Sequence, residues 1–127
     1  MNVELAPDVL FLVKKVLQTV PLTYIDHSRI ICIRSFGAKS RAQARIWSFP
    51  KIWQLALSLG PHYVIEVLSH HFDKLSYDDK IRVVIHELMH IPKNFSGSLI
   101  PHKTKHKHID RRSVEKLFVL YKNSSSS

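Results

Sequence analysis

Five consecutive residues, His86-Glu87-Leu88-Met89-His90, place two imidazoles four positions apart with a carboxylate between them. On a helix that spacing points both rings at one spot and sets Glu87 beside it. Two neutral imidazoles and one further ligand hold Zn²⁺, and the open fourth position lowers the pKa of a water toward about 7. Glu87, adjacent to the ligands but not one of them, can then take a proton from that water. The chemistry indicated is hydrolysis at a metal, and the chain has to supply a helix, a third ligand and a way in for substrate.

The helix is well marked. Ser76 is an N-cap, Asp78 and Asp79 form an acidic first turn, and Ile81, Val84, Ile85 and Leu88 recur at helical spacing. Pro92 bars Ile91 from the α region, so the helix stops just past His90 and enters a loop that can turn back toward the metal. Four downstream residues compete for the third place: His102, His106 and His108 in the loop, and Glu115 on a later helix. His102 ends the run Gly97-Ser98-Leu99-Ile100-Pro101-His102, where glycine permits a sharp turn and proline stiffens the approach. His106 and His108 alternate with lysines that would have to be held near a dication, and Glu115 sits beside Lys116 on an amphipathic pattern. His27, His62, His70 and His71 read as surface or capping residues.

A chain of 127 residues, 45% hydrophobic and 23% charged, is expected to form one domain over residues 1–122, with residues 123–127 a disordered serine tail. No segment approaches the roughly 18 apolar residues of a membrane span, and the start lacks a signal-peptide pattern, so the cytoplasm is the expected compartment. The single Cys32 lies among Ile30, Ile31 and Ile33 and reads as a buried strand thiol, with a zinc-blocking thiolate as the weaker reading. A net charge of +9 could attract nucleic acid, but no aromatics interleave the basic run from Lys103 to Lys107. A non-catalytic, zinc-stabilised basic domain that binds nucleic acid or a protein partner is therefore the alternative to an enzyme.

Around the motif, the pattern predicts a first helix from Pro7 to Pro21 with Leu10, Val13, Leu17 and Val20 on one face. Strands are expected at Arg29 to Arg34, Ala44 to Phe49 and His62 to Ser69. Pro50 opens a short helix striped by Ile52, Leu55, Ala56 and Leu59, with Trp53 in the core and Gly60-Pro61 closing it. In the third strand only Glu66 asks for water, and that strand could form a sheet edge that pairs with an extended peptide. A final helix starts at Asp110, with Val114, Leu117, Phe118 and Tyr121 facing inward. The sum is an α+β domain with a mixed three-stranded sheet and packed helices.

His86 to Pro92, followed by Phe95-Ser96-Gly97-Ser98-Leu99-Ile100-Pro101-His102, resembles the metallopeptidases found widely in archaea, with support from Ala44-Arg45-Ile46-Trp47 and His62 to Val67. More distantly the chain is similar to minimal SprT-like proteases. The resemblance implies a zincin-like fold, zinc at His86, His90 and His102, Glu87 as catalytic acid and base, and a peptide or protein substrate; it does not carry over the DNA-associated role of SprT-like proteins.

Overall fold

The structure is a computed structural model and describes residues 2–105 and 107–125. Four strands form one sheet in the order β1-β2-β4-β3: β1 (Asn2–Leu5), β2 (Ile30–Phe36), β3 (Ala44–Trp47) and β4 (Tyr63–Leu68). β1 runs antiparallel to β2, β2 parallel to β4, and β3 antiparallel to β4, so the sheet is mixed. Among the described residues five α-helices complete the α+β architecture, α1 (Pro7–Thr19), α2 (Lys51–Ala56), α3 (Ser69–Phe72), α4 (Tyr77–Met89) and α5 (Arg111–Ser125), with a short 3-10 turn at His27–Arg29.

The sheet has four strands where three were expected, because Asn2–Leu5 adds an edge strand. All four of its residues are exposed, so no buried alternation announced it. β4 also differs from expectation. It lies between β2 and β3, and the sheet edge next to it is β3. An interior strand covered on both faces reads as a continuous buried run, and Glu66 is only 3% exposed within it.

Glu66 tolerates burial because its cross-strand partner is Arg45. Arg45 donates from Nε at 2.8 Å and from its terminal nitrogen at 3.2 Å, and the Trp47 indole donates at 2.9 Å. These bonds, led by Arg45, hold the Glu66 carboxyl down at about 2 against an ordinary 4.5. A lowered folded-state pKa contributes stability that is complete above about pH 4.5 and lost as the pH falls toward about 2. Glu66→Gln is therefore expected to destabilise the fold by about 2 to 3 kcal/mol at neutral pH. In urea titrations the gap to the parent protein is expected to shrink across that acidic window; a gap independent of pH would show that the ion pair is not its cause.

The core lies between the sheet and α1, α4 and α5. Ile30, Cys32, Tyr63, Ile65 and Val67 come from the strands, Val9, Val13 and Val16 from α1, Ile81, Ile85 and Leu88 from α4, and Val114, Phe118 and Tyr121 from α5. The buried face of α1 is centred on Val9, Val13 and Val16, with Leu10 and Leu17 at its margin, a rotation of about one position from the expected stripe. Cys32 is buried as expected, and burial pushes its thiol up to about 12, which argues against a zinc-blocking thiolate.

α2 is the main departure. It ends at Ala56, before Gly60, and Ser58 takes the left-handed turn at φ 53°. Its apolar residues face outward: Ile52 is 71% exposed, Trp53 55% and Leu55 71%, while Gln54 is the buried residue. His70 and His71, expected at the end of a strand, lie in α3. α5 runs through Ser125, past the expected start of a disordered tail, and Ser126 and Ser127 lie outside the described residues. Among the described residues no helix is long and apolar enough to cross a membrane.

Candidate metal centre

α4 forms where the sequence places it. The Ser76 side chain accepts from the Asp79 amide at 3.1 Å, which caps the first turn. Ile81, Val84, Ile85 and Leu88 are each at most 1% exposed. Burying side chains of that size contributes about 1.5 to 3 kcal/mol each, which fixes the rotation of the helix about its own axis. His86 and His90 thereby face the cleft on the opposite side from that stripe, with His90 as the C-cap.

His102 arrives by a different route. The chain leaves α4, and the Ile100 amide donates to the His90 carbonyl at 2.7 Å, closing the loop between them. Beyond it a small hairpin forms, with Ile109 N–H to His102 O at 2.7 Å, a bridge between Lys103 and His108, and Thr104 N–H to Lys107 O at 2.8 Å. Ile109 is buried, so its partner His102, itself exposed, stands at the root of the hairpin. His108 is one step further out and is not part of the histidine group. His106 lies outside the described residues.

Gly97 makes the intervening turn possible. It sits at φ +95°, and a Cβ there would overlap the Phe49 carbonyl oxygen and the Gln54 amide. The Tyr63 hydroxyl accepts from the Gly97 amide at 2.9 Å and donates to the Ser98 carbonyl at 2.8 Å, clamping the turn to β4. Nothing in the sequence signalled that use of Tyr63. Gly97→Ala is expected to destabilise by about 1 to 3 kcal/mol or more, seen as a lower melting temperature. An unchanged melting point would mean that the turn can relax.

The result is a convergence of three rings. His86 Nε2 lies 3.1 Å from His102 Nε2 and 3.4 Å from His90 Nε2, and one ligand atom from each residue falls within 4.8 Å of the others. Four ligands at the Zn–N distance of about 2.0–2.1 Å in a tetrahedron stand about 3.3 Å apart, so the spacing suits such an ion. The protonation pattern suits it too. His90 Nδ1 lies 2.5 Å from the Ile100 carbonyl, to which it must donate, leaving Nε2 with a free lone pair aimed at the cluster. Burial, aided by the neighbouring histidines, lowers the His86 pKa to about 4, and burial lowers that of His90, so both rings are held in the neutral form that ligates.

Glu87 lines the same cavity and is 7% exposed. Burial raises its carboxyl to about 7, the range in which a side chain can both accept and return a proton. Glu115, the fourth candidate ligand, is engaged elsewhere: Arg82 donates to its two oxygens at 3.0 and 3.2 Å, and also to Asp79 at 2.8 Å. This network braces α5 against α4 on the cavity wall. The cavity holds about 960 Å³, at the upper end of the usual range for ligand sites of about 300–1,000 Å³, and the edge strand β3 borders it through Ala44, Arg45 and Ile46.

Three converging imidazoles beside a buried carboxylate, at the open edge of a mixed sheet, define a candidate metallohydrolase centre on an α+β domain. Over residues 1–115 the chain matches the model of a family described as putative phage metallopeptidase, and it belongs to that family. No curated protein and no solved structure matches the chain.

Proposed function

We propose that the protein is a zinc-dependent peptidase with a zincin-like fold, in which His86, His90 and His102 hold the ion and Glu87 is the catalytic acid and base. The observation that carries this reading is the approach of the three Nε2 atoms within one cavity that Glu87 also lines. Membership of a metallopeptidase family supports it. The likeness of the motif to archaeal metallopeptidases, and more distantly to SprT-like proteases, points to the same ligand set.

Zinc bound there would polarise a carbonyl and lower the pKa of water toward about 7. Glu87 takes the proton of the attacking water and returns it to the departing amine. The carboxyl's burial keeps competing water away during that exchange. Substrate binds as an extended strand against the free edge of β3, main chain to main chain, which replaces β4 as the pairing element expected from sequence. Leu75, Val83 and Leu99 give the cavity apolar walls for substrate side chains. The buried thiol of Cys32 suits a reducing compartment, and we place the activity in the cytoplasm. Purified protein is expected to contain zinc and to cleave casein, with loss of cleavage in chelator and recovery on adding zinc back. Metal content without any cleavage would favour a structural site.

A further inference from the structure

We propose that α2 and the turn after it form a docking element for an anionic lipid surface. Five large apolar side chains surround this short segment and all are open to solvent: Ile52 (71% exposed), Trp53 (55%), Leu55 (71%), Leu57 (53%) and Leu59 (49%). Between Lys51 and Leu59 Gln54 alone is buried. Its side-chain amide donates to the Phe49 carbonyl at 2.9 Å and the Ser96 carbonyl at 2.8 Å. A polar residue thus anchors the segment inward while its hydrocarbon faces outward, the reverse of an ordinary surface helix. Apolar groups exposed together on this scale mark an interaction surface.

Charge selects the occupant. Residues 27–65, which contain α2, hold no Asp or Glu. Arg29, Arg34 and Arg45 are paired with carboxylates from outside that stretch, and Lys39, Arg41 and Lys51 are the cations with no carboxylate beside them among the described residues. Residues 88–109, which contain the Ser96 anchor, include Lys93, Lys103, Lys105 and Lys107 and again no Asp or Glu. Arg29 packs against Gly60 at the end of the apolar turn, and Lys51 begins α2 and is exposed. A second copy of the chain would bring these cations face to face, which opposes self-association. Nucleic acid would satisfy the cations but leave five hydrocarbon side chains in water. A protein partner would need a pocket that encloses the helix on several sides, whereas the boundary of a bilayer accepts apolar groups from all around a protruding segment. Anionic lipid headgroups meet the basic surround while the acyl boundary takes up the leucines, isoleucine and tryptophan. Because Gln54 and Phe49 are bonded to the Ser96–Gly97 turn, such docking would hold the cavity close to the lipid surface.

The test is co-sedimentation of the full chain with vesicles of equimolar phosphatidylglycerol and phosphatidylcholine, and with vesicles of phosphatidylcholine alone. Binding is expected to the first and not the second, to weaken with salt, and to fall about tenfold or more in Ile52→Ser/Leu55→Ser. Both positions are exposed, so circular dichroism is expected to show an unchanged fold. Three results would overturn the proposal: no vesicle binding, vesicle binding that the double substitution leaves intact, or a dimer in sedimentation velocity that the double substitution dissolves while lipid binding is absent. None of these readouts requires catalysis or metal, so they stand apart from the peptidase reading.

Discussion

Replacing Glu87 by Gln is expected to yield a folded protein that keeps its zinc and has lost at least about 10²-fold to 10⁴-fold of its peptide cleavage. The amide is close in shape to the carboxyl, so the packing that leaves Glu87 only 7% exposed is preserved. It cannot accept the proton of the attacking water. The three imidazoles belong to other side chains and stay in place. Burial raises the carboxyl to about 7, whereas an amide carries no proton to exchange, so the change removes a function and adds no uncompensated charge. Zinc content and casein cleavage measured on the same preparation check the two halves of the expectation. Cleavage at the parent rate would exclude Glu87 as the base, and loss of zinc along with activity would show that the carboxyl helps to hold the ion.

The second large effect concerns the proposed ligands. His102→Ala is expected to weaken zinc binding by on the order of 100-fold or more, because two remaining imidazoles cannot complete the protein's share of a tetrahedral site. His108→Ala is expected to leave affinity nearly unchanged, since His108 bridges Lys103 on the hairpin and stands outside the histidine group. Competition against a chromophoric chelator measures both. Equal losses in the two variants would overturn the choice of third ligand. Because His102 is exposed and lies on a loop, neither substitution is expected to unfold the domain.

The most legible part of the chain was α4. Its cap, its acidic first turn, its buried stripe and its proline stop are all local signals, and together they determine which way His86 and His90 face. His102 was half legible. Gly97 and Pro101 marked a turn of the right kind, but what separates His102 from His108 is a hairpin rooted by the buried Ile109, and that pairing is not visible from spacing. Glu66 was misread for a similar reason. A carboxylate in a strand looks like a solvent-facing residue until Arg45 is found opposite it, 21 positions earlier in the chain. The hydrophobic pattern of α2 predicts a core stripe, whereas the contacts that orient the helix are two hydrogen bonds from Gln54 to carbonyls. β1 was missed because four exposed residues carry no burial pattern, and what makes them a strand is the row of partners on β2.

The ring of main-chain contacts around the loop has a consequence for how an ion is taken up. His90 and Ile100 are joined twice, once through the backbone and once through the imidazole, and the Tyr63 hydroxyl clasps the turn between them. Each of these contacts joins protein to protein, so none of them needs a cation to form. Stripping the ion is expected to leave the amides of this loop slow to exchange with deuterium, so that loading resembles a key entering a finished lock and owes little to collapse of a slack chain around its prize.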